Sequence, residues 1–468
     1  MPFQPVWLLT DLLIYLLIGA LSLAILYAFK KEHLRAPFGQ IRKKPVAMAA
    51  LIVLLGYFAI GLLDSFHFRL PLEGSGEVKG QYSPEVLSLL DLLVGPLRTN
   101  LEKSYSAPLA MHAYAKETVE DGHGQKARVF PRLLYGGNQI KEEDHLSDIY
   151  RTGGMGIVQG LMAGFLFAVI CFLLVSRLHH DSLSHTIKGI LHRQYDTAWG
   201  AILLTGTLML VVVSMALSLS DQYHLFGTDK VGQDVFYLSL KSVRTGIVIG
   251  TLTTLIMLPF AALLGILAGY YKGKTDDAIQ FLYTTLSSIP GVLLIAAAIL
   301  MLGLYMDTHP DAFATSTQRA DVRLFFLCLI LGTTGWIGLC RLLRGETLKL
   351  SESEYVQAAV ALGVGHGTIL LRHILPNLMH IILISAVLDF SGLVLGEAVL
   401  SYVGIGVDPS MISWGNMINS ARLEMAREPI VWWSLVAAFV SMFGLVLCAN
   451  IVSDAVRDAF DPRLRGGM

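Results

Sequence analysis

Long apolar runs separated by short polar stretches set the character of this chain. About 20 apolar residues cross a bilayer as a helix. By that measure nine runs qualify, roughly residues 7–29, 46–63, 155–176, 199–219, 246–270, 279–304, 322–343, 378–404 and 430–452. The pattern predicts an all-α integral membrane protein, a polytopic helical bundle of about nine spans. One stretch departs from the rhythm. Residues 64–154 are the sizeable piece outside the runs, mixing a candidate helix (Pro84–Leu97) with Gly-rich breaks at Gly122–Gly124 and Gly136-Gly137. About 90 residues bury only a modest core, which suits a small extracytoplasmic insert or cap.

Basic residues orient the runs, because cytoplasmic loops collect Lys and Arg. Segment 30–45 carries Lys30, Lys31, Arg35, Arg42, Lys43 and Lys44 against one acid, Glu32. Alternation from there also puts inside Arg177, Lys188 and Arg193, then Lys272 and Lys274, then the loop 344–376, then the tail with Arg457, Arg463 and Arg465. The N-terminus falls outside and the C-terminus in the cytoplasm. Met1–Pro5 holds no Lys or Arg ahead of the first apolar run, so that run reads as an uncleaved span rather than a secretory signal.

Composition agrees. Hydrophobic residues make up 54% and charged residues 15% of 468, with a mean hydropathy of +0.59, against about 25% charged in soluble domains. A net charge of −1 leaves no electrostatic case for nucleic acid. Cys171, Cys328, Cys340 and Cys448 lie inside apolar runs and read as small buried hydrophobes, with no metal site.

The loop 344–376 is polar and rich in small residues between two apolar runs. Ser351 followed by Glu354 is a capping-box pattern that predicts a helix start. Tyr355, Ala358, Ala359 and Leu362 then share one face. Gly363, Gly365 and Gly367 predict a break, and Pro376 a new helix entering the membrane. On spacing alone, this is either a short helix offered to a soluble partner or a connecting loop with one amphipathic turn.

The order of motifs decides for the first. Ala358-Ala359, Gly363 and Leu375-Pro376 resemble the "EAA" loop of importer permeases that work with ATP-binding-cassette ATPases. His224-Leu-Phe-Gly-Thr-Asp229, with Gly232 and Asp234-Val235, resembles the HxxGTDxxGRDV segment of the dipeptide/oligopeptide/nickel group. Leu267–Gly273 with Asp276, Arg372–Asn377, Gly396–Ala398, Gly404–Gly406, Ser413–Met417 and Arg457–Arg463 continue the resemblance in order. It covers about His224 to Arg465 and points to the second-permease, or C, type. Two positions depart from it: Gln357 stands where the group has Glu, and Gln233 where it has Arg. Residues 1 to about 200 are not covered, which divides the chain into N-terminal spans (1–63), the insert (64–154), additional spans (155–220) and a permease core (221–468).

The resemblance implies a transport subunit rather than an enzyme. It implies a coupling loop at Glu354, Tyr355, Gln357, Ala358, Ala359, Gly363, Arg372 and Pro376, and an extracytoplasmic mouth at Gly227, Thr228, Asp229, Asp234, Trp414 and Asn416. Implied partners are two cytoplasmic ATPase subunits that carry ATP and Mg, a second, homologous permease, an external solute-binding protein, and membrane lipid. No cofactor falls to this chain, which lacks GxxxxGK[ST]. The implied location is the bacterial inner membrane and the implied solute a peptide or related small molecule.

Other residues admit two readings. Asp389 and Glu397 lie eight apart in one run, nearly on one face, where acids line a path or tie helices together. His179, His180, His185 and His192 form either a metal cluster or a solvated basic loop. Pro259 and Pro290 inside runs read as kinks, and Trp432-Trp433 as interface anchors. A membrane enzyme using His112, His123 and Asp144, or a stand-alone proton-coupled carrier using Asp389 or Glu397, are the rival functions.

Overall fold

The computed structural model describes residues 3–29, 32–71, 82–120, 126–138, 140–180, 182–192, 194–310, 313 and 315–460. Lys30, Lys31, Gly122–Gly124, His123, Asp181, Arg193, Asp461, Pro462, Arg463 and Arg465 lie outside them. The chain opens with β1 (Gln4–Pro5), α1 (Leu9–Phe29), α2 (Glu32–Lys43) and α3 (Pro45–Asp64). Strands β2 (His67–Arg69) and β3 (Leu87–Ser88), helices α4 (Leu89–Leu93) and α5 (Gly95–Thr99), and the hairpin β4 (Glu117–Glu120) and β5 (Lys126–Val129) follow. Then come α6 (His145–His179), α7 (Leu183–Leu191), α8 (Trp199–Ser220), α9 (Val235–Tyr271), α10 (Gly273–Ser287), α11 (Gly291–Thr308), α12 (Ser316–Gly335) and α13 (Ile337–Ser351). The last are α14 (Glu354–Ala361), α15 (His366–Ile369), a π-turn over Leu370–Ile374, α16 (Leu375–Tyr402), α17 (Trp414–Glu424) and α18 (Trp433–Phe460). Among the described residues, eight helical stretches are long and apolar enough to cross a membrane, and α1 occupies the first predicted run.

Two runs differ from expectation. The run 279–304 is not one helix: α10 ends at Ser287 and α11 starts at Gly291. Pro290, with no N–H to donate and a steric bias against helix at Ile289, sits ahead of α11 instead of kinking a span, whereas Pro259 stays inside α9. The run 322–343 divides at Trp336, whose indole N–H donates to the Thr333 carbonyl at 2.9 Å. The predicted helix over Pro84–Leu97 is two short helices behind a strand. Ser88 caps the first, accepting from the Asp91 N–H while Asp91 accepts from the Ser88 N–H.

The chain forms two compact units, and neither coincides with one predicted segment. Unit 1 comprises Met1–Val6, Ala28–Thr245 and Ile412–Ala455. Its helices α6 and α8 pack closely because Gly156, Gly160 and Gly164 face α8. A Cβ at Gly156 or Gly160 would press on the Met215 or Val211 backbone, and one at Gly164 on the Thr207 side chain. This is the small-xxx-small spacing by which membrane helices approach.

The insert belongs wholly to unit 1. The sheet runs β1-β2-β3, antiparallel, with Pro5 opposite Phe68 and Phe68 opposite Leu87. Lys241 on α9 reaches Asp64 at the end of α3 (3.0 Å) and Asp91 in the insert (2.9 Å). Burial alone would raise the Asp91 carboxyl, but the Lys241 ammonium, the Ser88 N–H and the Tyr237 hydroxyl together hold the group below its ordinary value. A second tie is tighter. The His224 ring lies between two buried carboxylates, with Nδ1 2.8 Å from Asp234 Oδ2 and Nε2 3.4 Å from Glu102 Oε1. Glu102 also accepts from the N–H groups of Leu134, Tyr135 and Gly136 at 2.8–3.1 Å. Asp234 Oδ1 accepts from the N–H groups of Phe236 and Tyr237, as an N-cap does.

Unit 2 comprises Trp7–Tyr27, Gly246–Met411 and Val456–Met468. The start of α1 is held by Asp321 on α12, which accepts from the N–H and hydroxyl of Thr10. One apolar core joins Ile14 to Val248, Leu252, Leu324, Leu327 and Leu400. A second centres on Ala261, Ala268, Leu339, Leu343 and Leu378, and reaches the loop after α13.

The His224 cluster makes stability depend on pH, and its sign follows from the shifts. Burial pulls the His224 pKa down, but the two carboxylates overcome it and lift it from 6.5 to about 9. That contribution is whole below 6.5 and lost as pH rises through about 9. For Glu102 burial acts upward, yet His224 and the three N–H groups take it from 4.5 to about 2. That contribution is whole above 4.5 and lost as pH falls through about 2. Tryptic cleavage within 64–154 of the detergent-solubilised chain should therefore be slowest between 4.5 and 6.5. Glu102→Gln should flatten both limbs and destabilise the insert by about 2 kcal/mol. A pH-independent cleavage rate would contradict this account.

Candidate functional site

The loop after α13 is built around two buried positions. On α14, Val356 and Ala359 are 1% and 8% exposed and join the core of Ile369, Ile374 and Leu378. These i, i+3 positions leave Glu354, Tyr355, Gln357, Ala358 and Leu362 in solvent. The predicted face is thus split: Tyr355, Ala358 and Leu362 are exposed, while Ala359 points inward. Ser351 does not cap α14. It ends α13, its hydroxyl donating to the Leu348 carbonyl at 2.8 Å, and Ser353 occupies the N-cap without a side-chain cap bond, its hydroxyl donating instead to the Leu350 carbonyl. The preceding helix runs through the position that the capping box required.

The end of α14 is a Schellman motif. Gly363, at φ +74°, donates to Val360 O and Val364 donates to Ala359 O, both at 3.0 Å. The left-handed backbone there favours glycine. Gly365 caps α15 and Gly367 lies within it, so only the first two glycines break the helix. Arg372 is exposed on the π-turn that leads to Pro376 in the first turn of α16. Asn377 ties the ends together, donating to the His373 carbonyl (2.6 Å) and to the Tyr355 hydroxyl (3.0 Å).

Gln357 has a specific neighbour. Its Nε2 donates to Glu352 Oε2 at 3.2 Å, and Glu352 pairs with Lys272. Close by in sequence, Asp276 receives both Nε (2.5 Å) and Nη2 (2.6 Å) of Arg344. That guanidinium holds the Asp276 carboxyl below the ordinary range.

On α16, Glu397 is 3% exposed and accepts from the Ser401 hydroxyl at 2.7 Å. Asp389 is half-buried, and among the described residues no hydrogen bond or ion pair reaches its carboxylate.

In unit 1 the glycine-rich loop is a packed joint. Thr228 is fully buried, its Oγ1 donating to Ser104 O (2.8 Å) and accepting from the Ser106 N–H (2.7 Å). A Cβ on Gly227 would overlap Ser106 O, and one on Gly232 would overlap Glu102 O. Asp229 accepts from the N–H groups of Val231 and Gln233, both 2.9 Å. Burial nevertheless keeps its carboxyl above its ordinary value. Asp234 is committed to His224 and α9. Trp414 is 1% exposed, and Asn416 gives its N–H to the Ser413 cap of α17. Trp433 is 2% exposed and donates to Thr228 O at 2.9 Å, so it is a core group rather than an interface anchor. Trp432 is exposed.

Sequence reasoning missed Glu102, Tyr105 and Glu424, which carry no motif and find their partners far along the chain. Of the imagined enzyme residues, His123 lies outside the described residues, His112 pairs with Glu142 at 3.0 Å, and Asp144 precedes α6. Of the histidine cluster, His179 and His192 bond to carbonyls one turn back.

Comparison with known proteins agrees with the motif order. Residues 261–466 match the family described as "Binding-protein-dependent transport system inner membrane component". The oligopeptide transport system permease protein OppC of Haemophilus influenzae is 31% identical over 245 residues, 52% of this chain and 72% of that protein. OppC of Bacillus subtilis is 32% identical over 246 residues, with 52% and 72% covered. The glutathione transport system permease protein GsiD of Pectobacterium atrosepticum is 32% identical over 242 residues, with 52% and 73% covered. A stand-alone carrier finds no support among them. The chain is a multi-pass inner-membrane protein and belongs to the permease subunits of ATP-binding-cassette importers, within the peptide group.

Proposed function

We propose that this permease forms part of the path for a peptide or related small solute in a bacterial importer, and that α14 is its contact with a cytoplasmic ATPase. The carrying observation is the build of α14. Two buried residues fix the helix, and the rest of its surface is left open, with Leu362 at 83% and Tyr355 at 44% exposure as its large apolar groups. An exposed apolar patch on a membrane protein's polar loop marks a partner surface. Two ATPase subunits would hold ATP and Mg, with this chain binding no cofactor. A second, homologous permease would complete the path, and an external solute-binding protein would deliver to the outer side. Closure of the ATPases would then switch the paired permeases by rigid-body motion. The distribution of Lys and Arg supports an N-terminus outside and a C-terminus in the cytoplasm. That topology places α14 inside and the insert outside, with residues 221–468 as the permease core.

Leu362→Glu should fold, since the side chain is exposed, and should remove co-purifying ATPase from the complex. Retained ATPase and unchanged ATP-dependent uptake would rule out α14 as the contact. Gln357→Glu restores the family residue but sets a second carboxylate beside Glu352. We expect it to weaken ATPase retention by on the order of 0.5 kcal/mol, about twofold; tighter retention would mean that the Glu352 contact is irrelevant. Asp389→Asn should lower uptake of a free-amine peptide by about tenfold with assembly intact, and unchanged uptake would remove Asp389 from the path.

A further inference from the structure

A cleft of about 630 Å³ opens in unit 1 between the insert and α17 with the segment that follows it. Its size falls within the usual range of small-molecule sites, about 300–1,000 Å³. The insert supplies Ser104, Tyr105 and Tyr114, the glycine-rich loop supplies Lys230, and the far wall carries Asn419, Arg422, Glu424 and Arg427. The insert lies outside the matched segment 261–466, so that wall of the cleft is not supplied by the family's common part.

Glu424 is the unusual group. Its residue is 4% exposed. Oε1 accepts from the Tyr105 hydroxyl at 3.3 Å, while the buried Oε2 has no hydrogen-bond partner among the described residues. An unsatisfied buried acceptor costs about 1–3 kcal/mol, so the site calls for a donor. Burial pushes this carboxyl above the ordinary glutamate value, with the Tyr105 bond pulling the other way. Arg427 stacks instead of donating to it: its guanidinium lies over the Tyr105 ring, 4.9 Å from its centroid. Lys230 and Arg422 on the same walls offer positive charge to a carboxylate. With Glu428 and Arg427 the lining carries two acids and three bases, and walls of both signs match a zwitterion.

We propose that this cleft binds a short peptide by its ends, the free α-ammonium on Glu424 and the carboxylate on the Lys230 and Arg422 side. An ammonium brings three donors, and Tyr105 and Tyr114 flank the chain between the ends. The proposal rests on the reading of this chain as a peptide-importer permease and specifies where that solute meets it first. Glu424 is the ligand-binding residue, and the insert is one wall of a substrate site.

The test uses the full chain in lipid nanodiscs and isothermal titration with tri-alanine, N-acetyl-tri-alanine and tri-alanine amide. Acetylation should weaken binding by about tenfold, and amidation should weaken it by a smaller factor. Glu424→Gln should lower tri-alanine affinity by a similar tenfold and erase the difference between free and acetylated peptide. The acetylation comparison is made on the unaltered protein, so it decides even if the variant unfolds. Equal affinities for free and acetylated peptide, or no saturable tri-alanine binding into the millimolar range, would overturn the site. ATP-dependent uptake by vesicles holding the assembled complex is read in parallel. Uptake without cleft binding sinks the site and leaves the importer reading standing, while binding without uptake supports the site and removes peptide transport.

Discussion

The buried imidazolium of His224 is the constraint on which unit 1 of this protein depends. It sits between Glu102 and Asp234, and a charge removed from water is tolerable only when both its protons and its partners' lone pairs are used. Here they are. Glu102 spends its other capacity on three N–H groups of residues 134–136, and Asp234 on the first turn of α9. The helix terminus favours the Asp234 anion, so cap, ion pair and insert attachment reinforce one another. Truncating His224 leaves two buried carboxylates facing each other without a cation, and truncating either carboxylate leaves one ring N–H without its acceptor. The insert is thereby a component of the loop that precedes α9 rather than a domain resting beside it, and Lys241 with Asp64 and Asp91 repeats the logic one turn further along that helix.

This changes the meaning of the glycine-rich motif. Gly227 and Gly232 face the carbonyls of Ser106 and Glu102, and both have positive φ. Each therefore meets two demands, a left-handed backbone and room for another strand of chain. The loop is saturated with internal hydrogen bonds, and the open, incompletely bonded surface lies next to it, around Glu424. The loop after α13 shows the opposite economy. There the interior contacts are reduced to Val356 and Ala359, the Schellman turn at Gly363 ends the helix within eight residues, and most of the helix surface is left free.

Much of the fold was legible because it follows from a single length, the thickness of a bilayer. A run of about 20 apolar residues gives itself away whatever packs on it. The interruptions at Pro290 and Trp336 were less visible, since apolar residues continue across them and hydropathy averages over a break of two or three positions. At Ser351 local pattern misled: the spacing to Glu354 fits a capping box, but α13 persists to that residue and Ser353 takes the cap. Trp433 shows the same limit, because a tryptophan near a span end reads as an anchor unless its partner, here Thr228 O, is known.

The candidate site was legible in part. The residues of the α14 loop were readable because their constraints are local: helix period, a glycine stop, a proline start. The residues of the glycine-rich loop were recognised by motif, but their burial was not readable, since what packs on Thr228 and His224 comes from the insert, more than 100 positions earlier in the chain. That insert has no period and no motif, and its Glu102 looks like any surface acid until the fold sets it beside His224. Gln357 carries the same lesson in the other direction. Judged alone it is a lost charge, but beside Glu352 and its Lys272 partner a neutral donor is the residue that fits, because a second anion there would compete for the same ammonium.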